Sequence, residues 1–340
     1  MIYLVIFLVL LAIIFFLFLN TGPKLAAHTD ALIQEVQKEP LLDLVKGKTG
    51  MTKTGPVSIH YELISKGKEN KGTILLVCGH TQTSLEWPTY LYEPLLAAGY
   101  QVVRYDNRGV GLSDWMANWT KKRAYQLEDM AKDGLAVLDT LGISKAHVIG
   151  VSMGGMIGQI MAINHSERVL SLTSIMSTGF YFDKELGDVP RQFMMDITRV
   201  SLRHGRGVKT EEGKLKLHLA IRQLLKGQGD YPFDDKSVLK RALVEVRTRK
   251  GYNMKATDQH SLAIKKSGSR YEGLKKLQVP TLVIHGTSDP LIPFKHAKKY
   301  SAMIPNVRTL FIEGMGHDLP AVHAPVIVKE LLAFFADHNA

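Results

Sequence analysis

Residues 146–155 read Ala-His-Val-Ile-Gly-Val-Ser-Met-Gly-Gly. Ala146–Ile149 is a short run that suits a strand buried on both faces. Gly150-Val151-Ser152-Met153-Gly154 then fits G-x-S-x-G, and Met153–Asn164 carries a helical pattern. The five-residue pattern alone is weak, because it arises by chance. Between a strand and a helix it acquires a mechanical meaning. Serine there sits on a tight, strained turn with its Oγ projecting above the sheet. Gly150 and Gly154 belong at that elbow because side chains flanking the turn would collide. Gly155 extends the small patch, and the helix N-terminus supplies unpaired N–H groups beside the serine.

Similar units lie on both sides. Val57–Ile64 alternates and reads as an antiparallel edge strand. Thr73–Val77, Gln101–Tyr105, Leu170–Ile175, Val279–His285 and Arg308–Ile312 are short apolar runs. Helical patterns fall near Tyr90–Ala98, Gln126–Leu141, Phe294–Met303 and Ala324–His338. Strand–helix alternation of this kind predicts an α/β fold with a mostly parallel sheet. Thr178–Leu277 breaks the alternation with amphipathic helical patterns and no clear strand, so it reads as a helical cap inserted between two strands. The predicted organisation is residues 1–20 as a transmembrane anchor and 21–50 as a juxtamembrane helix and connector. Residues 51–177 and 278–340 form the two parts of the core, around a cap at 178–277.

A serine nucleophile needs a base and an orienting acid, and in this architecture the order along the chain is serine, acid, histidine. His317, in Gly314-Met315-Gly316-His317 just past the strand Arg308–Ile312, is the candidate base. His323 falls near the start of the last helix, where it packs or caps. Asp289 is the carboxylate on the loop after Val279–His285 and would hold the imidazole in its working tautomer. Asp106 reads as structural, pairing locally with Arg104 or Arg108, and Asp318 as pointing away from the base. Two N–H donors are needed for a tetrahedral oxyanion. Met153 N–H is one. His80 N–H, in Cys78-Gly79-His80-Thr81-Gln82 after the strand Thr73–Val77, is the other, with the His80 ring as pocket lining.

The 340 residues are 45% hydrophobic and 22% charged, which excludes a disordered tail, a collagen and a coiled coil. Cys78 is the only cysteine, so no disulfide scaffold is possible within the chain. No metal or other cofactor is implied: there is no Cys/His cluster, no helical His pair with an intervening Glu and no glycine-rich phosphate loop. The formal charge of +11 is concentrated. Residues 179–276 hold 22 Lys/Arg against 12 Asp/Glu, a balance of +10, while the remainder balance to +1. That basic cap reads first as a solvated surface and second as a membrane-facing one. Nucleic-acid binding is not indicated, since aromatics are sparse there and no nucleic-acid motif is present.

Met1–Leu19 carries no charged side chain and only one polar group, the Tyr3 hydroxyl. As a helix it would span about 28 Å, near the ~30 Å hydrocarbon core, so a membrane anchor is expected. Lys24, Lys38, Lys46 and Lys48 follow the span and none precedes it, which places the main domain on the cytoplasmic side.

Together these residues resemble the α/β-hydrolase superfamily, and within it the aclacinomycin methylesterase-like branch. The resemblance rests on Cys78-Gly79 through Trp87-Pro88, Val102–Ser113, His147–Gly154, Pro232-Phe233-Asp234-Asp235 and Gly314–Pro320, and covers roughly Val57 to Ala336. It implies a Ser152–Asp289–His317 esterase acting on small carboxylic esters, in the namesake a methyl ester on a polyketide. The apolar N-terminus and the basic cap depart from that pattern. The expected activity is a membrane-tethered serine ester hydrolase for a small-molecule or lipid-like ester. An acyltransferase or thioesterase with the same three residues, or a silent anchored binding protein, are the alternatives.

Overall fold

The computed structural model describes residues 2–67, 70–249 and 252–338, without the side chains of residues 2, 4, 5, 9, 12, 14, 15 and 206. Two helices come first, α1 (Ile2–Asn20) and α2 (Thr29–Lys38). The core then runs β1 (Lys48–Thr54), β2 (Val57–Ile64), β3 (Thr73–Val77), α3 (Thr89–Ala97), β4 (Gln101–Tyr105) and α4 (Leu127–Thr140). It continues through β5 (Ala146–Val151), α5 (Met153–Asn164) and β6 (Val169–Ile175). A helical insertion follows: α6 (Arg191–Gly205), α7 (Glu211–Leu225), α8 (Asp235–Thr248), α9 (Met254–Ser267) and the single turn α10 (Tyr271–Leu274). The core closes with β7 (Thr281–Gly286), α11 (Phe294–Ser301), β8 (Val307–Ile312) and α12 (Ala324–Ala336).

The eight strands form one sheet in the order β1-β2-β4-β3-β5-β6-β7-β8. β1 and β2 are antiparallel to each other, and β2 is antiparallel to β4; the other pairs are parallel. Alternate residues feed two cores, as a strand's period of two requires. Leu75, Val77, Val103 and Val148 pack with α4 and α5 on one face. Ile74, Leu76, Val102 and Ile149 pack with α3 and α12 on the other. Every residue of β3, β5 and β7 is buried, which is why their sequences read as continuous apolar runs.

One strand lies outside the expected set. β1, Lys-Thr-Gly-Met-Thr-Lys-Thr, has no apolar alternation. It is an edge strand paired only with β2, through a turn in which Gly55 takes φ +58°. Its side chains are mostly exposed, so polar residues suit it and no hydrophobic signal marks it.

The N-terminal anchor is not upheld. Among the described residues, no helix is long and apolar enough to cross a membrane. The expectations of a transmembrane helix over residues 1–20 and of a membrane location with a cytoplasmic domain are corrected accordingly. The stretch is helical, but its C-terminal end is fastened to the insertion. Arg199 Nε donates to Phe18 O at 3.2 Å, and Arg203 donates to the carbonyls of Leu19 and Thr21 at 3.2 and 2.9 Å. The Arg199 guanidinium also lies 4.7 Å from the Phe18 ring centroid. Cations at a helix C-terminus satisfy its last carbonyls and complement its dipole.

The segment after α1 has a different job from the one expected of a membrane connector. Helix α2 lies on the insertion, with Ile33 and Val36 buried among Leu215, Leu219, Leu239 and Leu243. Its acids meet the insertion's cations: Asp30 pairs with Lys216 at 2.9 Å, Glu35 with Lys236 at 2.5 Å and Glu39 with Lys240 at 2.7 Å. Arg247 pairs with Glu211 and Arg249 with Asp106. Asp30, Glu35, Glu39 and Asp106 come from outside the basic segment, so these pairs neutralise part of its excess within the fold, whereas Arg247 and Glu211 both belong to it.

Candidate active site

Ser152 stands between β5 and α5 with φ +54° and ψ −120°, a conformation that costs a non-glycine residue about 1–3 kcal/mol. Its amide donates to Ile175 O at 2.9 Å, and its carbonyl accepts from Gly155 N–H and the Ser177 hydroxyl. These bonds hold the strained turn in place. A Cβ on Gly150 would lie 2.2 Å from Gly154 O, and one on Gly154 would lie 2.1 Å from Val77 O. The elbow therefore has no room for side chains at either glycine. Met153 opens α5, so its amide lies in the helix's first turn.

The loop after β7 carries Asp289. Its Oδ1 accepts the amides of Leu291 and Ile292 at 2.9 and 2.8 Å, which fixes the carboxylate plane. Its Oδ2 faces His317 Nδ1 at 2.7 Å, and both residues are buried. A carboxylate only accepts, so the imidazole proton belongs on Nδ1 and Nε2 keeps its lone pair. A second histidine, His285, has Nε2 3.4 Å from the same oxygen. That nitrogen also bonds Ile292 O at 2.8 Å, and burial pushes the ring's pKa down, so His285 is a neutral neighbour.

The loop after β3 approaches Ser152 closely: a Cβ on Gly79 would lie 3.3 Å from Ser152 Cβ. Gly79 N–H donates to Gln82 Oε1 at 3.0 Å and Thr81 N–H to His260 Nδ1 at 3.0 Å. The His80 amide stands between these two occupied donors. The His80 ring turns to the insertion, within 3.0 Å of Ser261 Oγ and 3.2 Å of Thr257 O. His260 was not anticipated from the sequence. It accepts from Thr81 through Nδ1 and bonds Arg108 O through Nε2 at 2.8 Å, which requires the neutral ring. Burial, chiefly, lowers its pKa to about 3. It is a strut joining α9 to the loop at Ser152, and 179 residues separate it from Thr81, so no local pattern reveals it.

Asp106 is structural, with a different partner from those expected. Arg104 pairs with Glu62 at 2.7 Å and Arg108 with Asp133 at 2.6 Å. Asp106 instead pairs with Arg249 of the insertion and accepts the amides of Ser84 and Leu112 at 2.8 and 2.9 Å. Burial alone would raise its pKa, but His60, Arg249 and these amides hold it well below the usual range. Asp318 makes its bond to Tyr231, whose hydroxyl lies 3.0 Å from Oδ1; burial is the main cause that pushes its pKa up to about 6. His323 precedes α12 and meets the Tyr231 ring edge-on.

Ser152, His317 and His80 line one cavity of about 590 Å³ between core and insertion. Its walls are mostly apolar, with Trp87 and Met156 from the core and Phe193, Leu217 and Ile221 from the insertion. Such a space takes an apolar ligand of substantial size and presents a few polar groups to it. Among the described residues no cluster suited to a metal ion occurs.

Comparison with known proteins agrees with the geometry. The α/β-hydrolase fold family matches residues 72–324. Rhodomycin D methylesterases of Streptomyces sp. (strain C5) and Streptomyces peucetius are each 32% identical over 271 residues, covering 74% of this chain and 87% of theirs. Among solved structures, a bromoperoxidase from Bacillus anthracis superposes with a TM-score of 0.66 at 23% identity, covering 85% of this chain and 100% of that one. A bacterial membrane phospholipase A gives 0.63 at 21% identity over the full length of both chains. At such identities the structures speak for the fold alone. The family match and the methylesterase relatives together establish that this chain belongs to the α/β-hydrolase family, in its esterase branch.

Proposed function

We propose that this carboxylic ester hydrolase works through Ser152 as nucleophile, His317 as general base and acid, and Asp289 as the group that orients His317. The observation that carries the reading is the 2.7 Å contact between His317 Nδ1 and Asp289 Oδ2, on the wall of the cavity that also receives Ser152. In the first half-reaction His317 Nε2 takes the Ser152 proton as Oγ attacks the ester carbonyl. The tetrahedral oxyanion is held by the amides of Met153 and His80. Collapse breaks the bond to the alkoxy group, which leaves as the alcohol with the proton from His317. Water then adds to the acyl-enzyme by the same route, releasing the acid and restoring Ser152.

The substrate fitted to this site is a neutral ester with a bulky apolar body. The cavity's size and apolar walls support that class, and the methylesterase relatives favour a small alcohol as the leaving group. The test is Ser152→Ala assayed on a panel of methyl and p-nitrophenyl esters of increasing acyl size, with fluorophosphonate labelling alongside. Labelling should vanish and turnover should fall by about 10⁴–10⁶-fold with the fold intact. Turnover within tenfold of the parent would refute the assignment.

A further inference from the structure

The loop that carries His317 is held by the insertion as well as by the sheet. His317 N–H donates to Leu225 O, at the end of α7, at 2.7 Å. Gly316 N–H donates to the Tyr231 hydroxyl oxygen at 3.3 Å, and that hydroxyl also reaches Asp318 Oδ1 at 3.0 Å and the Lys226 carbonyl. From the other direction Gly229 N–H donates to Gly314 O at 2.8 Å. A Cβ on Gly316 would lie 2.2 Å from the Lys226 carbonyl carbon, so the two backbones are in direct contact. Residues 316, 317 and 318 are thus each bonded to residues 225–231, and one phenol serves two of them. The sheet side holds the imidazole through Asp289 but meets the loop backbone further upstream, where Ser288 N–H donates to Met315 O at 3.1 Å.

We propose that Tyr231 is a positioning residue for His317, so that the insertion which shapes the cavity also sets where the base stands. The inference rests on the reading of His317 as base and acid. Asp289 fixes the ring's tautomer and one edge of it. The backbone from which the ring projects is fixed by Leu225 and Tyr231. An error of about 1 Å in the position of a reacting group costs about 10²-fold in rate. The cost is unequal across substrates. A methyl ester expels a poor leaving group that needs the proton from His317, whereas p-nitrophenolate departs without it. A displaced imidazole therefore slows methyl esters more than p-nitrophenyl esters of the same acid. A general loosening of the insertion would slow both alike, and would act on KM as the cavity wall moves.

The test compares Tyr231→Phe with the parent on a methyl and a p-nitrophenyl ester sharing one acyl group. Tyr271→Phe is the control. That phenol belongs to the same insertion and bonds Asp183 at 2.5 Å, but it does not line the cavity. For Tyr231→Phe, kcat/KM, which reports acylation and not the deacylation step the two esters share, should fall by about 30-fold on the methyl ester and by less than about 5-fold on the p-nitrophenyl ester. Tyr271→Phe should leave the ratio of the two rates unchanged. Equal losses on both esters, or no loss, would overturn the proposal. Gly229→Ala presses the same seam from the insertion side, since its Cβ would meet Gly314 O at 2.7 Å. It should shift the ratio in the same direction, and it carries the test if Tyr231→Phe does not accumulate as folded protein. His317→Ala belongs in the same experiment. If it retains turnover, the base assignment fails; if it abolishes turnover while Tyr231→Phe leaves the ratio unmoved, only the role of Tyr231 fails.

Discussion

Glu245, on α8, is 2% exposed and accepts a hydrogen bond from the Thr83 hydroxyl. Burial is the main cause that pushes its pKa from the usual 4.5 up to about 8; the charges of Glu86 and Asp106 add to the rise, and Thr83 and Arg249 oppose it. At pH 7 the folded protein holds a proton there that the unfolded chain has released. The folded pKa is raised, so this contribution to stability is fully present below about 4.5 and is lost as the pH climbs through about 8. Each pH unit inside that window removes up to ~1.4 kcal/mol, so going from pH 5 to pH 7 removes roughly 2–3 kcal/mol. Glu245→Gln keeps an acceptor for Thr83 and abolishes the titration. The variant's Tm should match the parent's near pH 4.5 and exceed it by about 3–4 °C at pH 7, widening toward pH 8. Thermal unfolding of both proteins across pH 4.5–8.5, followed by circular dichroism, measures this directly. Parallel profiles for the two proteins would refute the reasoning, as would a variant that is less stable at pH 7.

Three other substitutions probe separate parts of the molecule. Asp289→Asn should lower turnover by about 10⁴-fold with little change in Tm. Asp106→Asn should behave in the opposite way, costing about 3–5 kcal/mol of stability because Arg249 loses its buried partner, while the folded protein keeps turnover within tenfold; steady-state kinetics beside thermal unfolding separates the two outcomes. Ile33→Ala should cost about 2–5 kcal/mol at the contact of α2 with the insertion, and limited proteolysis should then cut within residues 21–47 first.

What the sequence discloses depends on how local the cause is. The inner strands were readable because burial on both faces forces unbroken apolar runs, as in Thr73–Val77. β1 was not, because an exposed edge asks nothing of its side chains. The elbow around Ser152 was readable because close approach to Val77 O and Gly154 O admits only glycine. Asp289 and His317 could be placed on loops after predicted strands, and the structure brings them to 2.7 Å. Partners set by tertiary packing were beyond reach. Asp106 was matched with arginines two residues away, whereas its cation, Arg249, comes from 143 residues along the chain. Long separations, 179 and 85 residues, likewise hid His260 beneath the Thr81 amide and Tyr231 beside Gly316. The N-terminal segment was misread because hydropathy and charge order say nothing of what a helix end meets, and here it meets Arg199 and Arg203.

Helix α2 has a practical consequence for anyone who trims this polypeptide. A version beginning at residue 48 would retain all eight strands and Ser152, Asp289 and His317, and by inspection would look like a complete catalytic unit. It would also strip Ile33 and Val36 from the trough between Leu215 and Leu239, and take Asp30, Glu35 and Glu39 away from Lys216, Lys236 and Lys240. The bared trough would be greasy along its floor and cationic along its rim. Such a surface scavenges polyanions and self-associates. Aggregation or nucleic acid co-purifying with a shortened protein would report on that wound and not on the enzyme.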